Sequence, residues 1–194
     1  LDTIALRMPK HKVALALIRE SGCPIAAPSA NSAGRPSPTL AEHVLEDLEG
    51  QINAVLDSGP TRIGVESTVL DLTVDPPQVL RPGGVPFEDL RQILDSVELN
   101  PVVLADRVLP VERARSPGVK HRHYAPKAEM VLVEGELDAI VAKVDELVRG
   151  YVKDGKRVGV LATNETATRY NLGVVKSLGS RNDLADVAKN LFRL

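Results

Sequence analysis

The chemically distinctive residues of this chain stand in short stretches, each at a place where a regular element should begin or end. Pro28-Ser29-Ala30-Asn31, with its continuation to Ser37-Pro38-Thr39, follows a short apolar segment and leads into a helix. Hydroxyls, free backbone N–H groups and a helix N-terminus therefore gather in one loop, a combination suited to holding an anion such as phosphate. A plain capped turn would need only Thr39 and leaves the run of small residues before it unexplained. Arg7 closes the first apolar stretch, where a strand-end guanidinium can grip a carboxylate with two parallel bonds, the alternative being a solvated surface arginine. Glu66-Ser67-Thr68-Val69 sets two adjacent hydroxyls at a strand start. The two-residue period sends them to opposite faces, one to a ligand and the other to core or backbone, although β propensity alone also accounts for Thr and Val there. Arg81-Pro82-Gly83 ends a strand in a fixed turn and holds Arg81 at a sheet edge, where an ATP phosphate or adenine could sit; an ordinary turn with a solvated arginine is the plainer reading.

A further stretch runs from Ser116-Pro117-Gly118 to His121-Arg122-His123-Tyr124-Ala125-Pro126. It concentrates Arg113, Arg115, Lys120, Arg122 and Lys127 against the single acid Glu112. Basic charge beside an aromatic ring suits a lid over a nucleotide or a contact with tRNA, as well as a solvated connector. His121 and His123 have no nearby Cys or acidic partner, so protein-ligated zinc is not expected.

The elements that must carry these residues follow from periodicity and end signals. The sequence predicts a strand at Thr3–Met8, a helix at His11–Glu20 stopped by Ser21-Gly22, and a buried strand at Pro24–Ala27. A helix should run from a Thr39 cap to about Leu48, with Glu42 completing a capping box. Strands are predicted at Ala54–Asp57, Glu66–Leu72 and Gln78–Leu80, with a turn at Ser58–Gly64 and a helix at Phe87–Val97. Prolines 101, 110, 117 and 126 leave little room for regular structure. Beyond them come a strand at Met130–Val133, a helix at Leu137–Val152, a strand at Val158–Ala162, a short helix at Glu165–Tyr170, a strand at Val174–Leu178 and a last helix from Asn182. The expected class is α/β: residues 1–100 around a partly antiparallel sheet, a linker or lid at 101–127, and a doubly wound region at 128–194. Neither G-x-G-x-x-G nor G-x-x-x-x-G-K-[ST] occurs in the last region, so a nucleotide site there has no motif behind it.

Bulk composition narrows the setting. Lys and Arg total 24 against 26 Asp and Glu, a net charge of -2 that exerts no general pull toward nucleic acid or membrane. The lone Cys23 fits a reducing, cytoplasmic environment. No apolar run approaches the ~20 residues of a membrane helix. The chain opens on Leu1 and still shows helical periodicity at Leu194, so both ends read as cut.

In this order the segments resemble the YrdC-like L-threonylcarbamoyl-AMP synthase family, in its long form with a second domain. The resemblance rests on A-P-S-A-N-x-S/A-G-x-x-S-P-T at Ala27–Thr39, S-T-V at Ser67–Val69, R-P-G at Arg81–Gly83 and S-P-G-x-x-x-x-H-Y-x-P at Ser116–Pro126. It implies the C-terminal part of a YrdC-like twisted sheet, then a linker and a Rossmann-like domain, truncated at both ends. It implies further that Arg7, Ala27 and Ser67 hold L-threonine, and that Thr3, Ser29, Ser37, Arg81 and Tyr124 contact ATP. The implied reaction joins threonine, bicarbonate and ATP, with Mg²⁺ on the phosphates, into threonylcarbamoyl-AMP for tRNA modification. No covalent nucleophile is needed, and tRNA or a threonylcarbamoyl-transferase complex is the implied partner. The family's Lys/Arg-rich phosphate-binding motif belongs to a segment preceding this one, so the 194-residue chain alone is expected to be inactive. The rival readings are a carbamoyl-transfer maturation factor of the same fold, disfavoured by the single Cys, and a non-catalytic RNA-binding module.

Overall fold

Helix ends in this chain fall where local chemistry stops them. In the computed structural model, which describes residues 2–104 and 128–193, α1 spans Lys12–Ser21. His11 caps it, its Nδ1 accepting the Val13 N–H at 3.3 Å. Gly22 ends it at φ 64°, a left-handed conformation that returns its N–H to the Arg19 carbonyl. Helix α2 (Ala41–Leu48) starts later than the predicted Thr39 cap, with Leu40 at the cap position and no side-chain bond there. Thr39 is buried and turns toward His43 instead: its N–H donates to His43 Nδ1 at 3.3 Å. His43, one turn in, thus takes the place foreseen for Glu42.

A three-stranded sheet follows, in the order β1-β2-β3. β1 (Val69–Asp71) runs antiparallel to β2 (Gln78–Arg81), and β2 is parallel to β3 (Glu98–Leu99). α3 (Phe87–Ile93) makes the crossover between the parallel pair. It is shorter than the predicted Phe87–Val97 helix because the backbone extends at Leu94, freeing Glu98 and Leu99 to join β2. A short helix α4 (Pro101–Leu104) closes this region. The predicted strand Glu66–Leu72 contracts to its last part, since only Val69–Asp71 meets a partner.

The strands expected at Thr3–Met8, Pro24–Ala27, Ala54–Asp57 and Met130–Val133 do not form among the described residues. Ile4, Leu6 and Met8 are each more than four-fifths exposed. Alternation supplies the propensity for a strand, but a strand exists only as a ladder with a neighbour, and none runs beside these segments here.

The C-terminal region keeps the predicted rhythm: α5 (Leu137–Lys153), β4 (Gly159–Ala162), α6 (Asn164–Ala167), β5 (Val174–Ser177) and α7 (Leu184–Asn190). β4 and β5 pair in parallel, Gly159 opposite Val174 through Ala162 opposite Ser177. Val141, Val144 and Val148 recur at helical spacing on α5 and pack with Val160, Ala162 and Tyr170 into one core. The architecture is mixed α/β throughout. No helix of the described residues is long and apolar enough to cross a membrane.

Candidate functional site

Two of the predicted site residues meet at the start of the first sheet. β1 and β2 change register between Val69 and Leu70, a bulge that sets Val69 opposite Arg81 at the strand end. From there the guanidinium reaches back to the Ser67 carbonyl, donating through Nε at 3.1 Å and Nη2 at 2.8 Å. The two neighbouring hydroxyls then divide their work. Thr68 Oγ1 donates to the Val85 carbonyl at 2.7 Å and accepts the Val85 N–H at 3.0 Å, so it belongs to the backbone. Ser67 stays exposed, and its Oγ makes no hydrogen bond among the described residues. Gly83 fits under this corner only because it lacks a side chain: a Cβ there would lie 2.5 Å from the Ser67 carbonyl carbon.

The small-residue loop is pinned from behind by a residue that sequence reasoning missed. Asp47, near the end of α2, has a side chain only 5% exposed; it accepts the Ser32 N–H at 3.0 Å and pairs with the Arg35 guanidinium. Its carbonyl also accepts from Ser32 Oγ at 3.3 Å. Asn31 ties the loop to itself, Nδ2 donating to the carbonyls of Ser32 at 3.0 Å and Arg35 at 3.1 Å. That leaves Asn31 Oδ1 buried without a partner among the described residues, as are Ser37 Oγ and Glu66 Oε1. Buried orphans cost roughly 1–3 kcal/mol each. All three fall in segments singled out for chemistry. The signal for Asp47 was weak: one acid among Glu42, Glu46, Asp47 and Glu49 on a short helix looks like a solvated face.

The other predicted residues are more scattered in their surroundings. Thr3, Arg7, Ala27 and Ser29 lie exposed on irregular backbone, and among the described residues the side chains of Thr3, Arg7 and Ser29 make no hydrogen bond or ion pair. Ser37 is half-buried in the loop. Tyr124, with the entire basic stretch and His121 and His123, lies outside the described residues. A shallow cleft beside α3, lined by Phe87, Arg91, Leu94, Asp95 and Leu104 among others, contains none of the predicted residues. Among the described residues no group of three or more His, Cys, Asp or Glu is placed to hold a metal ion.

One perturbed acid stands apart from these segments. Glu165, at the exit of β4, is held at about 2, well below the ordinary 4.5. The main cause is the hydroxyl of Ser180, which donates to its carboxylate at 2.6 Å, followed by Thr163, its own N–H and the Arg181 N–H. The bonds tie the β4 exit to the loop before α7, a structural clasp.

Residues 1–83 match the family described as "Telomere recombination", and residues 85–194 match "Threonylcarbamoyl-AMP synthase, C-terminal domain". The chain belongs to the threonylcarbamoyl-AMP synthase family. It is 47% identical over 193 residues to the threonylcarbamoyl-AMP synthase of Pyrococcus abyssi, covering 100% of this chain and 54% of that protein. The Bacillus subtilis enzyme of that name is 47% identical over 192 residues, covering 99% of this chain and 53% of its own length. That of Schizosaccharomyces pombe is 40% identical over 202 residues, covering 98% and 48%. The chain thus spans about half the length of these synthase-family relatives. The crystal structure of P. abyssi Sua5 complexed with L-threonine superposes with a TM-score of 0.89 at 46% identity, covering 100% of this chain and 54% of that one. A form of the same protein with consecutive His→Ala and Tyr→Ala changes gives the same score over 53% of its chain.

Proposed function

We propose that the protein is an L-threonylcarbamoyladenylate synthase. Threonine condenses with bicarbonate to a carbamate and water; a carbamate oxygen attacks the α-phosphorus of MgATP, and pyrophosphate leaves. Such a reaction needs positioning and charge neutralisation rather than a protein nucleophile. In this reading Arg7 takes the threonine carboxylate, Ser67 donates a hydroxyl and Ala27 lines the pocket. Thr3, Ser29, Ser37 and Arg81 serve the nucleotide, with Tyr124 from the linker. Mg²⁺ enters on the ATP phosphates as part of the substrate.

One observation carries the reading. Arg81 and Ser67, 14 residues apart, share two hydrogen bonds, so a residue assigned to ATP and one assigned to threonine occupy a single corner of the sheet. Membership of the family and the likeness to a relative crystallised with L-threonine support it. Tyr124 draws support from the altered His-Tyr pair of that relative, since His123-Tyr124 is the one such pair in this sequence.

The proposed division of labour is a catalytic part at 1–100, a covering linker at 101–127 and a Rossmann-like part at 128–194. The product would serve tRNA modification in the cytoplasm, handed to a threonylcarbamoyl-transferase complex. The test is a thermal shift, on the protein extended to the full length of these relatives, with MgATP, L-threonine, both together, or tRNA. Joint stabilisation by MgATP and threonine beyond either alone is expected. A response to tRNA with none to the small molecules would overturn the synthase reading in favour of an RNA-binding module.

A further inference from the structure

The segment that delivers Ser67 is held by two backbone contacts, and one of them comes from the C-terminal region. Gly64 is buried while its neighbours Thr61, Arg62 and Ile63 are exposed. Its φ lies outside the left-handed region, so glycine is not required there by conformation. Proximity requires it. A Cβ on Gly64 would fall 2.5 Å from the Ala188 carbonyl oxygen and 2.6 Å from the Lys189 carbonyl carbon, both in the last turn of α7. Gly84 in turn donates its N–H to the Glu66 carbonyl at 2.8 Å, and a Cβ on Gly84 would come within 2.7 Å of Ile63 Cγ2. Residues 63–68 are therefore held by close backbone contacts with both α7 and the turn after β2.

The α7 end that makes one of these contacts is itself fixed. Asn190 Nδ2 donates to the Leu178 carbonyl at 2.9 Å, just past β5, and to the Asp186 carbonyl at 3.0 Å. At the other end Asp183 caps the helix through the Asp186 N–H at 3.1 Å. A chain of packed backbone runs from the β5 exit through Asn190 and α7 to Gly64, and on to Ser67. The carbonyls of the last helical turn carry partial negative charge and approach the Gly64 Cα without an intervening side chain.

We infer that Gly64 is a positioning residue, through which the C-terminal region sets where Ser67 stands and so how tightly threonine is held. The inference rests on the placement of Ser67 in the threonine pocket. Linkage makes the coupling reciprocal: threonine on the Ser67 side must firm the α7 contact.

The experiment compares, in the protein extended to the full length of its relatives, wild type, Gly64→Ala and a control, Gly150→Ala, whose Cβ would meet nothing within 4 Å. Threonine affinity is expected to fall by between about threefold and thirtyfold in Gly64→Ala, the range for residues that carry coupling without touching ligand. The control should match wild type. Protection of amides 141–148 reports whether the C-terminal core stands in each variant. Hydrogen exchange supplies a readout that needs no variant: saturating threonine should slow amides 187–191 in wild type. Unchanged threonine affinity in a folded Gly64→Ala, or no effect of threonine on those amides, overturns the coupling. If wild type binds no threonine, the synthase reading fails instead. The contact is then judged by exchange without ligand, where Gly64→Ala must speed amides 187–191 or the inference falls too.

Discussion

The C-terminal region gathers Val141, Val148, Val160, Ala162 and Tyr170 into one core, whereas the N-terminal region buries Val79 and Leu80 in its sheet and leaves its first apolar stretch in water. Val148 and Val160 are 4% and 7% exposed; Leu6 and Met8 are 87% and 86% exposed. Polar groups show the reverse asymmetry. Among the described residues the three buried side-chain atoms without partners all lie in the N-terminal region, in the loop 28–39 and beside Ser67, while the polar atoms around Glu165 are bonded. The region with a packed core carries few candidates for chemistry, and the region with the candidates is held by hydrogen bonds and glycine contacts. Rigidity in that half comes from particular pins: Asp47 for the loop, Arg81 and Gly83 for Ser67, and α7 for Gly64.

That contrast can be broken in graded steps. Tyr170→Ala should cost the C-terminal core about 3–5 kcal/mol in chemical denaturation, as loss of a buried aromatic does. Asp47→Ala comes next. It strips the buried acceptor from the Ser32 N–H and Arg35, a loss of roughly 1–3 kcal/mol, and the exchange of amides 31–35 should rise while amides 141–148 stay protected. Glu165 sharpens the comparison by pH. Its folded value of about 2 lies below the ordinary 4.5, so the stability it contributes is present above about pH 4.5 and is lost as pH falls toward 2. Glu165→Gln should flatten that part of the acid-unfolding profile, and a carboxylate titration midpoint near 4.5 would dismiss the clasp. Leu6→Ser should stay within about 0.5 kcal/mol of wild type, since the side chain it replaces is already in water.

The helices were legible in the sequence because their signals are local. Apolar spacing in α5 and the Gly22 stop of α1 are read within a few residues, and these two helices lie close to their predicted spans, whereas α3 ends at Ile93 instead of Val97 and α4 forms where no regular element was predicted. Strands depended on whether a partner exists, which is not local information. Val158–Ala162 and Val174–Leu178 found each other; Thr3–Met8, with equally good alternation, found none. Of the candidate site, the motif residues were visible as types in order, and of the two adjacent hydroxyls Thr68 is the one that bonds to backbone. Asp47 and Gly64 were invisible. An acid on a polar helix and a glycine with ordinary backbone angles gain meaning only when a distant segment arrives beside them.

Arg7 offers the most direct test, because it is exposed and its side chain makes no hydrogen bond or ion pair among the described residues. Threonine and MgATP should be titrated separately against wild type and Arg7→Ala, both extended to the full length of the synthase relatives. The account predicts a threonine affinity weaker by about tenfold or more, the value of a charge-assisted carboxylate contact, with MgATP affinity nearly unchanged. Equal losses for both ligands, or none for either, would contradict it.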